Sequence, residues 1–81
     1  MITVTRVDIG VDVSKKFLDV HFHPIKKAMR INNDTDGLNE LLKHLSQYSV
    51  KQVVCEATGG YEKPMQKALM KKGLNVWIVN P

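Results

Sequence analysis

The stretch from Arg6 to Lys16, RVDIGVDVSKK, constrains the fold of this chain more than any other segment. Apolar residues alternate there with Asp8, Gly10 and Asp12, and an extended strand sends alternate side chains to opposite faces of a sheet. The two acids therefore share one face, with a glycine between them that leaves space. A carboxylate on an apolar strand is costly to bury alone, so it is usually paired, hydrogen-bonded or bound to a metal. Asp12, at the end of the strand, is the candidate metal ligand.

The composition indicates one small globular domain, because the chain has 81 residues that are 43% hydrophobic and 25% charged. The apolar run from Val50 to Cys55 is too short to cross a bilayer, and the first residues lack the features of a secretory signal. The single cysteine excludes an internal disulfide and fits a reducing compartment, so we expect a cytoplasmic protein. The formal charge of +4 favours binding to polyanions, but it does not by itself identify nucleic acid as the partner.

Three strands open the chain. The residues from Val13 to Lys16 form a tight polar connection, and Phe17 to His23 resumes the alternation, which predicts a hairpin. Pro24 ends the second strand because it has no backbone donor, and Lys26 to Ile31 is predicted as a third strand of a meander.

Two helices separate the remaining strands. Asp34 or Thr35 is placed to cap a helix whose apolar stripe is made of leucines at helical spacing, namely Leu38, Leu41, Leu42 and Leu45. A second helix is predicted from about Tyr61 to Lys72, with Pro64 in its first turn and Gly73 as its left-handed cap.

The segments around the second helix are predicted as strands. Gln52 to Glu56 is apolar until its final acid, which is typical of a central strand covered on both faces. The turn from Ala57 to Gly60 follows it, and Leu74 to Val79 is the last strand.

This order of elements predicts an α/β fold with a mixed five-stranded sheet in the order 3-2-1-4-5. The handedness of the crossovers places both helices on one face. Asp12 and Glu56 would then lie at the same edge, on neighbouring strands about 4.8 Å apart. Two carboxylates with little nitrogen or sulfur nearby suit magnesium, which would support phosphoryl transfer on a nucleic-acid backbone. The competing interpretation is that each acid is a turn or capping residue.

Three ordered motifs, DIGVDVSKKFLDV, CEATGGYEKPMQKAL and KKGLNVWIVNP, resemble the amino-terminal part of the DEDD transposases of the insertion-sequence 110 group, which includes the Piv DNA invertases. The resemblance runs from about Val7 to Pro81. It implies a RuvC-like domain of the ribonuclease H fold that acts on DNA with magnesium and uses a guide RNA. It also implies that Asp12 and Glu56 are the first two of four acidic metal ligands.

The other two acids of that family, a D-x-x-D pair, and the proposed serine nucleophile of a carboxy-terminal domain have no counterpart here. We therefore interpret residues 1–81 as the amino-terminal part of a RuvC-like DEDD transposase catalytic domain, and expect it to be inactive in isolation. The resemblance implies a bacterial or archaeal protein associated with the nucleoid.

Five further residues are candidates for contact with nucleic acid. Lys15 and Lys16 could hold a phosphate near the metal site, although a polar hairpin turn also explains them. Thr58, Gly59 and Gly60 lie at a predicted helix start, where free amides bind phosphate, but the same residues would serve as cap and turn.

Other residues have simpler structural interpretations. Asp8 is expected to be a solvated strand residue, and Tyr61 and Trp77 are expected to pack in the core rather than stack on bases. His21 and His23 face the same way and could bind a soft metal, but a surface pair is the favoured interpretation.

Two rival functions remain open on sequence. An actin-like sugar or acetate kinase shares the sheet order, but it usually carries a glycine-threonine turn where this chain has Val13, Ser14 and Lys15. A non-catalytic nucleic-acid-binding or dimerisation module is the second rival. Because the helices leave one sheet face without cover, and valine and isoleucine side chains are expected on it, we predict self-association through that face.

Overall fold

The computed structural model describes residues 5–80. The strands and helices in this range follow the hydrophobic periodicity of the sequence. The elements are, in order, β1 (Arg6–Val13), β2 (Phe17–His23), β3 (Lys27–Asn32), α1 (Thr35–Leu45), β4 (Ser49–Glu56), α2 (Lys63–Lys71) and β5 (Val76–Val79). Among these residues, no helix is long and apolar enough to span a membrane.

The five strands form one mixed sheet in the order β3-β2-β1-β4-β5. The first three strands pair antiparallel, whereas β4 lies parallel to β1 and β5 lies parallel to β4. Ser14 closes the first hairpin, because its backbone nitrogen and its hydroxyl both donate to the carbonyl oxygen of Phe17, at 2.9 and 3.0 Å. Each parallel strand is entered through a helix, as parallel connections require. The predicted fold class, an α/β ribonuclease H-like sheet with two helices, is confirmed.

Both helices pack on one face of the sheet, as their handedness predicts. The core that they cover is built from alternate strand residues and from one stripe of each helix. Its members are Val7, Ile9, Val11, Leu18, Val20, Phe22, Ile31, Leu38, Leu41, Leu45, Val53, Cys55, Met65 and Leu69. The opposite face, which we call the open face, has no cover within residues 5–80.

The helix ends follow the predicted capping chemistry. The Asp34 carboxylate accepts a hydrogen bond of 2.8 Å from the backbone nitrogen of Gly37, which caps α1. Gly73 has a φ of 82° and ends α2 in the left-handed region. Helix α2 begins at Lys63, two residues later than predicted, because the preceding segment forms a hydrogen-bonded loop of its own.

Two strand predictions are corrected by the structure. Strand β4 begins at Ser49, and it is covered on one face only, because Val54 points to the open face and stays half-buried. Strand β5 begins at Val76 rather than at Leu74. The long apolar run of β4 therefore does not mark a strand that is buried on both sides.

Trp77 and Tyr61 were expected in the core, and both expectations are wrong. Trp77 is 59% exposed and Tyr61 is 47% exposed. In β5 the neighbours Val76 and Ile78 pack against the core, so the strand period of two turns Trp77 to the open face. Tyr61 precedes α2 instead of belonging to its apolar stripe.

The open face is more polar than the sequence predicted. Its described strand residues include Asp8, Gly10 and Asp12 of β1, Phe17, Asp19, His21 and His23 of β2, Ala28 and Arg30 of β3, Gln52, Val54 and Glu56 of β4, and Trp77 and Val79 of β5. Isoleucine is absent from this described set. Its larger apolar side chains are Val54, Trp77 and Val79 on the β4 and β5 side, and Phe17 on β2, where the Arg30 guanidinium lies over its ring.

Candidate metal and nucleic-acid site

Asp12 and Glu56 lie side by side at one edge of the sheet. Strands β1 and β4 pair in parallel with Val11 opposite Cys55, so the two acids occupy the next position on each strand. Neighbouring strands are about 4.8 Å apart. Both residues line one open pocket of about 280 Å³ on the open face. The structure thus brings together the two acids that the sequence singled out as metal ligands.

Because Gly10 has no side chain, the pocket reaches the backbone of β1 at this position. A Cβ atom added at Gly10 would have no heavy atom within 4 Å on the open face. The residue lines the pocket with Asp12 and Val54. A glycine at this place lets another molecule approach the strand backbone closely.

Two histidines also border the pocket. The Nε2 atom of His21 lies 3.3 Å from Oδ2 of Asp12, and His23 lines the same pocket. The side chains of His21 and Asp12 are 45% and 83% exposed, so this contact is open to water. The sequence predicted a surface pair but not its position beside the acids. The register of the hairpin contains the information that places the histidines there, because it sets His21 opposite Gly10.

Asp19 is a third acid at the same strand level, directly opposite Asp12. Its carboxylate is held by Arg30 through two hydrogen bonds, 2.8 Å from Nε and 3.1 Å from Nη2. These hydrogen bonds, with the positive charge of Arg30, lower the pKa of Asp19 below its ordinary value. Arg30 therefore engages both oxygens of Asp19 and competes with a cation for them.

The two carboxylates fit a hard cation that is held in part by other molecules, but the expectation of little nitrogen nearby is wrong, because His21 and His23 border the same pocket. Two exposed carboxylates supply oxygen ligands, and magnesium commonly takes one or two carboxylates with water and phosphate oxygens. Within residues 5–80, no three His, Cys, Asp or Glu side chains cluster closely enough to hold a metal ion by themselves. The pair thus has the form of a partial magnesium site.

Cys55 and Asp8 lie close to the pair in sequence but differ from it in environment. Burial, and then the negative charge of Glu62, raise the pKa of the Cys55 thiol, so it stays protonated and is a poor metal ligand. Asp8 was expected to be solvated, yet it is half-buried, and its Oδ1 atom is buried without a hydrogen-bond partner.

The loop of Thr58, Gly59 and Gly60 is closed around a carboxylate of the chain itself. One oxygen of Glu62 accepts hydrogen bonds from the Thr58 nitrogen at 2.9 Å, the Thr58 hydroxyl at 2.8 Å and the Gly60 nitrogen at 3.2 Å. Glu62 is only 6% exposed. The hydrogen bonds from the Thr58 backbone and hydroxyl, with a smaller one from Gly60, lower the pKa of Glu62 to about 2.

Three of the donors that were predicted to meet a phosphate therefore already meet Glu62. A phosphate at Thr58 or Gly60 would have to displace a buried, ionised side chain. The sequence did not predict this role for Glu62, although its spacing from Thr58 contained the signal: an acid just after a Thr-Gly-Gly turn can fold back onto free amides.

Lys15 and Lys16 lie in the turn between β1 and β2, two and three residues beyond Val13, the last residue of β1. Both side chains are exposed. Their charges are therefore available to phosphate at the edge of the sheet where the two carboxylates lie.

A comparison with protein-family models matches residues 9–81 to the DEDD transposase family of the insertion-sequence 110 group, which is described as "Transposase". A comparison with curated proteins finds no match.

Proposed function

Because the chain belongs to the DEDD transposase family of the insertion-sequence 110 group, we propose that its Asp12 and Glu56 contribute to a magnesium site for cleavage and transfer of DNA strands. The observation that supports this most directly is their position at the ends of adjacent parallel strands, in one open pocket. A magnesium ion bound there would neutralise charge on a transferring phosphoryl group.

Each residue of the proposed site would have a separate role. Asp12 and Glu56 would supply oxygen ligands, and His21 lies beside the Asp12 carboxylate on the neighbouring strand. The open space at Gly10 admits a phosphate backbone to the carboxylates without a clash. Lys15 and Lys16 attract phosphate groups to this edge.

Two ligands leave most of the coordination sphere of magnesium to water, substrate and further residues. The resemblance implies that a D-x-x-D pair supplies two more acids. We propose that residues 1–81 alone bind magnesium weakly and do not transfer DNA strands. The guide RNA rests on the resemblance alone and stays a prediction, as does a homo-oligomer.

The proposal can be tested by metal titration of the chain followed by NMR. Manganese broadens signals close to where it binds, so it should broaden Gly10 and Val54 first, and excess magnesium should restore them. Asp12→Asn and Glu56→Gln should each remove the effect. Glu40→Gln is the matched control, because Glu40 is an exposed acid on α1, on the other side of the sheet.

Broadening that persists in both site variants would show that the metal binds elsewhere, and the proposed site would be wrong. NMR shifts that appear with a nucleotide but not with a metal alone would favour the interpretation as an actin-like kinase. In this chain the Ser14 turn already uses its hydroxyl within the hairpin, as donor to and acceptor from Phe17. The family match favours the transposase. A folded chain with neither response would favour a non-catalytic module.

A further inference from the structure

Asn33, between β3 and α1, joins the two loops that follow the acidic strand ends. Its Nδ2 atom donates to the carbonyl oxygen of Ser14 at 2.9 Å and to that of Tyr61 at 3.0 Å. Its backbone nitrogen donates to the carbonyl oxygen of Lys16 at 2.8 Å. Ser14 and Lys16 belong to the turn after β1, whereas Tyr61 belongs to the loop after β4. One asparagine therefore ties both loops together.

The side-chain amide of Asn33 is oriented so that its nitrogen, and not its oxygen, makes the hydrogen bonds. Its Oδ1 atom is buried and has no hydrogen-bond partner, whereas its Nδ2 atom has two. A buried oxygen without a partner destabilises the fold, so this orientation persists only because the two bonds to carbonyl oxygens offset that cost.

Glu62 fixes the loop after β4 from within. Its three hydrogen bonds from Thr58 and Gly60 hold the backbone on either side of Gly59. Gly60 has a φ of 120°, which few side chains tolerate, so this loop conformation requires glycine at that position. The carbonyl of Tyr61 that Asn33 contacts therefore belongs to a segment of defined shape.

We propose that Asn33 and Glu62 are positioning residues, a strand-end clamp that sets the spacing between the Asp12 and Glu56 carboxylates. This inference rests on the proposed function, because the spacing matters only if both acids share a cation. Neither clamp residue contacts either carboxylate through a hydrogen bond in residues 5–80. The clamp acts on the turn after Asp12 and on the loop after Glu56.

Spacing matters because magnesium accepts little distortion. It requires near-octahedral geometry with oxygen distances of about 2.0 to 2.1 Å. Ligand groups have to be held to within about 0.5 Å for full effect. Glu56 is the last residue of β4 and Asp12 is the last but one of β1, so both acids lie where the sheet alone holds a side chain least firmly.

The clamp can be tested with Asn33→Ala and Glu62→Ala by manganese titration of the chain, with NMR detection at Gly10 and Val54. Each variant should weaken manganese binding by about three- to tenfold, which corresponds to the net free energy of a single hydrogen bond. Glu62→Gln should restore most of the affinity, because an amide oxygen can still accept from Thr58 and Gly60. The NMR signals of residues 14–16 and of residues 58–61 should both shift in Asn33→Ala, because that variant loses the hydrogen bond to each segment.

Leu42→Ala is the control for reduced stability. Leu42 is a partly buried residue towards the far end of α1, away from the strand ends that carry the acids. It should lower the free energy of unfolding without changing manganese affinity. If both clamp variants bind manganese as tightly as the unmodified chain, whereas Asp12→Asn does not bind, the clamp is wrong and the proposed function stands. If the unmodified chain itself does not bind manganese, both proposals fail.

Discussion

Thr58 donates two hydrogen bonds to the same oxygen of Glu62, 2.9 Å from its backbone nitrogen and 2.8 Å from its hydroxyl. Glu62 thus occupies the position that a bound phosphate would take in an anion-binding loop. It closes the loop after β4 at the edge of the sheet where Asp12 and Glu56 lie. The order of this loop should therefore depend on the ionisation of one side chain.

Acid should destabilise the chain through Glu62. Its pKa is about 2 in the folded chain and 4.5 ordinarily, so its stabilising contribution is full above about pH 4.5 and is lost as the pH falls from there towards 2. Urea unfolding at pH 7, 4.5 and 3 should show a larger loss of stability in the unmodified chain than in Glu62→Gln, which has no carboxylate to protonate there. Parallel loss in the two proteins would contradict this assignment.

Much of the fold follows from patterns of short range in the sequence. The alternation in β1 and β2 decides which side chains are buried, and the two helical stretches force β4 and β5 to run parallel. That is why the meeting of Asp12 and Glu56 was predictable, although they are far apart in the chain. The leucine stripe of α1 decides which face of that helix is buried, since helical residues three or four apart share one face.

The remaining features depend on which face of the sheet is covered and on contacts between distant segments, neither of which the period of a strand or helix reveals. Trp77 looks like a core residue by composition, but the positions of Val76 and Ile78 turn it outwards. Asn33 looks like an ordinary loop residue in the sequence, because its contacts with Ser14 and Tyr61 form only when the chain folds. Such side-chain bonds between distant segments form only once the tertiary structure exists, so sequence spacing alone does not predict them.

Lys15 and Lys16 should contact DNA phosphates. Replacing both with glutamine should weaken binding to a short DNA duplex of arbitrary sequence, and should reduce the slope of log K against log salt by about 0.9 for each phosphate that the chain no longer neutralises. Fluorescence anisotropy over a range of salt concentrations measures that slope. Lys71→Gln with Lys72→Gln is the matched control, at the other end of α2. An equal loss in both double variants would indicate attraction by net charge alone.

Gly37 should be required for the packing of α1 on the sheet. A Cβ atom there would overlap the backbone carbonyl of Asn32. Gly37→Ala should destabilise the chain by about 1 to 3 kcal/mol through overpacking, although alanine favours a helix by about 1 kcal/mol. Gly10→Ala is the control, since a Cβ atom there meets no atom within 4 Å. Chemical denaturation measures both. Equal stability of the two variants would show that α1 can shift away from Asn32.

Self-association through the open face should depend on Trp77. Val54, Trp77 and Val79 are the apolar side chains of the open face on the side of β5, an edge strand of the described sheet, whereas Phe17 lies on β2 beneath the Arg30 guanidinium. Exposed apolar patches on a sheet face are typical sites of association with another chain. We therefore expect concentration-dependent dimerisation in analytical ultracentrifugation, and a monomer for Trp77→Lys.

Met70→Lys tests whether the position or only the hydrophobicity of Trp77 matters. Met70 is 55% exposed, close to the 59% of Trp77, but it lies on α2 on the opposite side of the sheet. Association through β5 should survive Met70→Lys, because that change leaves the open face untouched. Loss of the dimer in both variants would point to repulsion by added charge, and a monomeric unmodified chain at high concentration would show that the apolar patch is too small to hold two copies together.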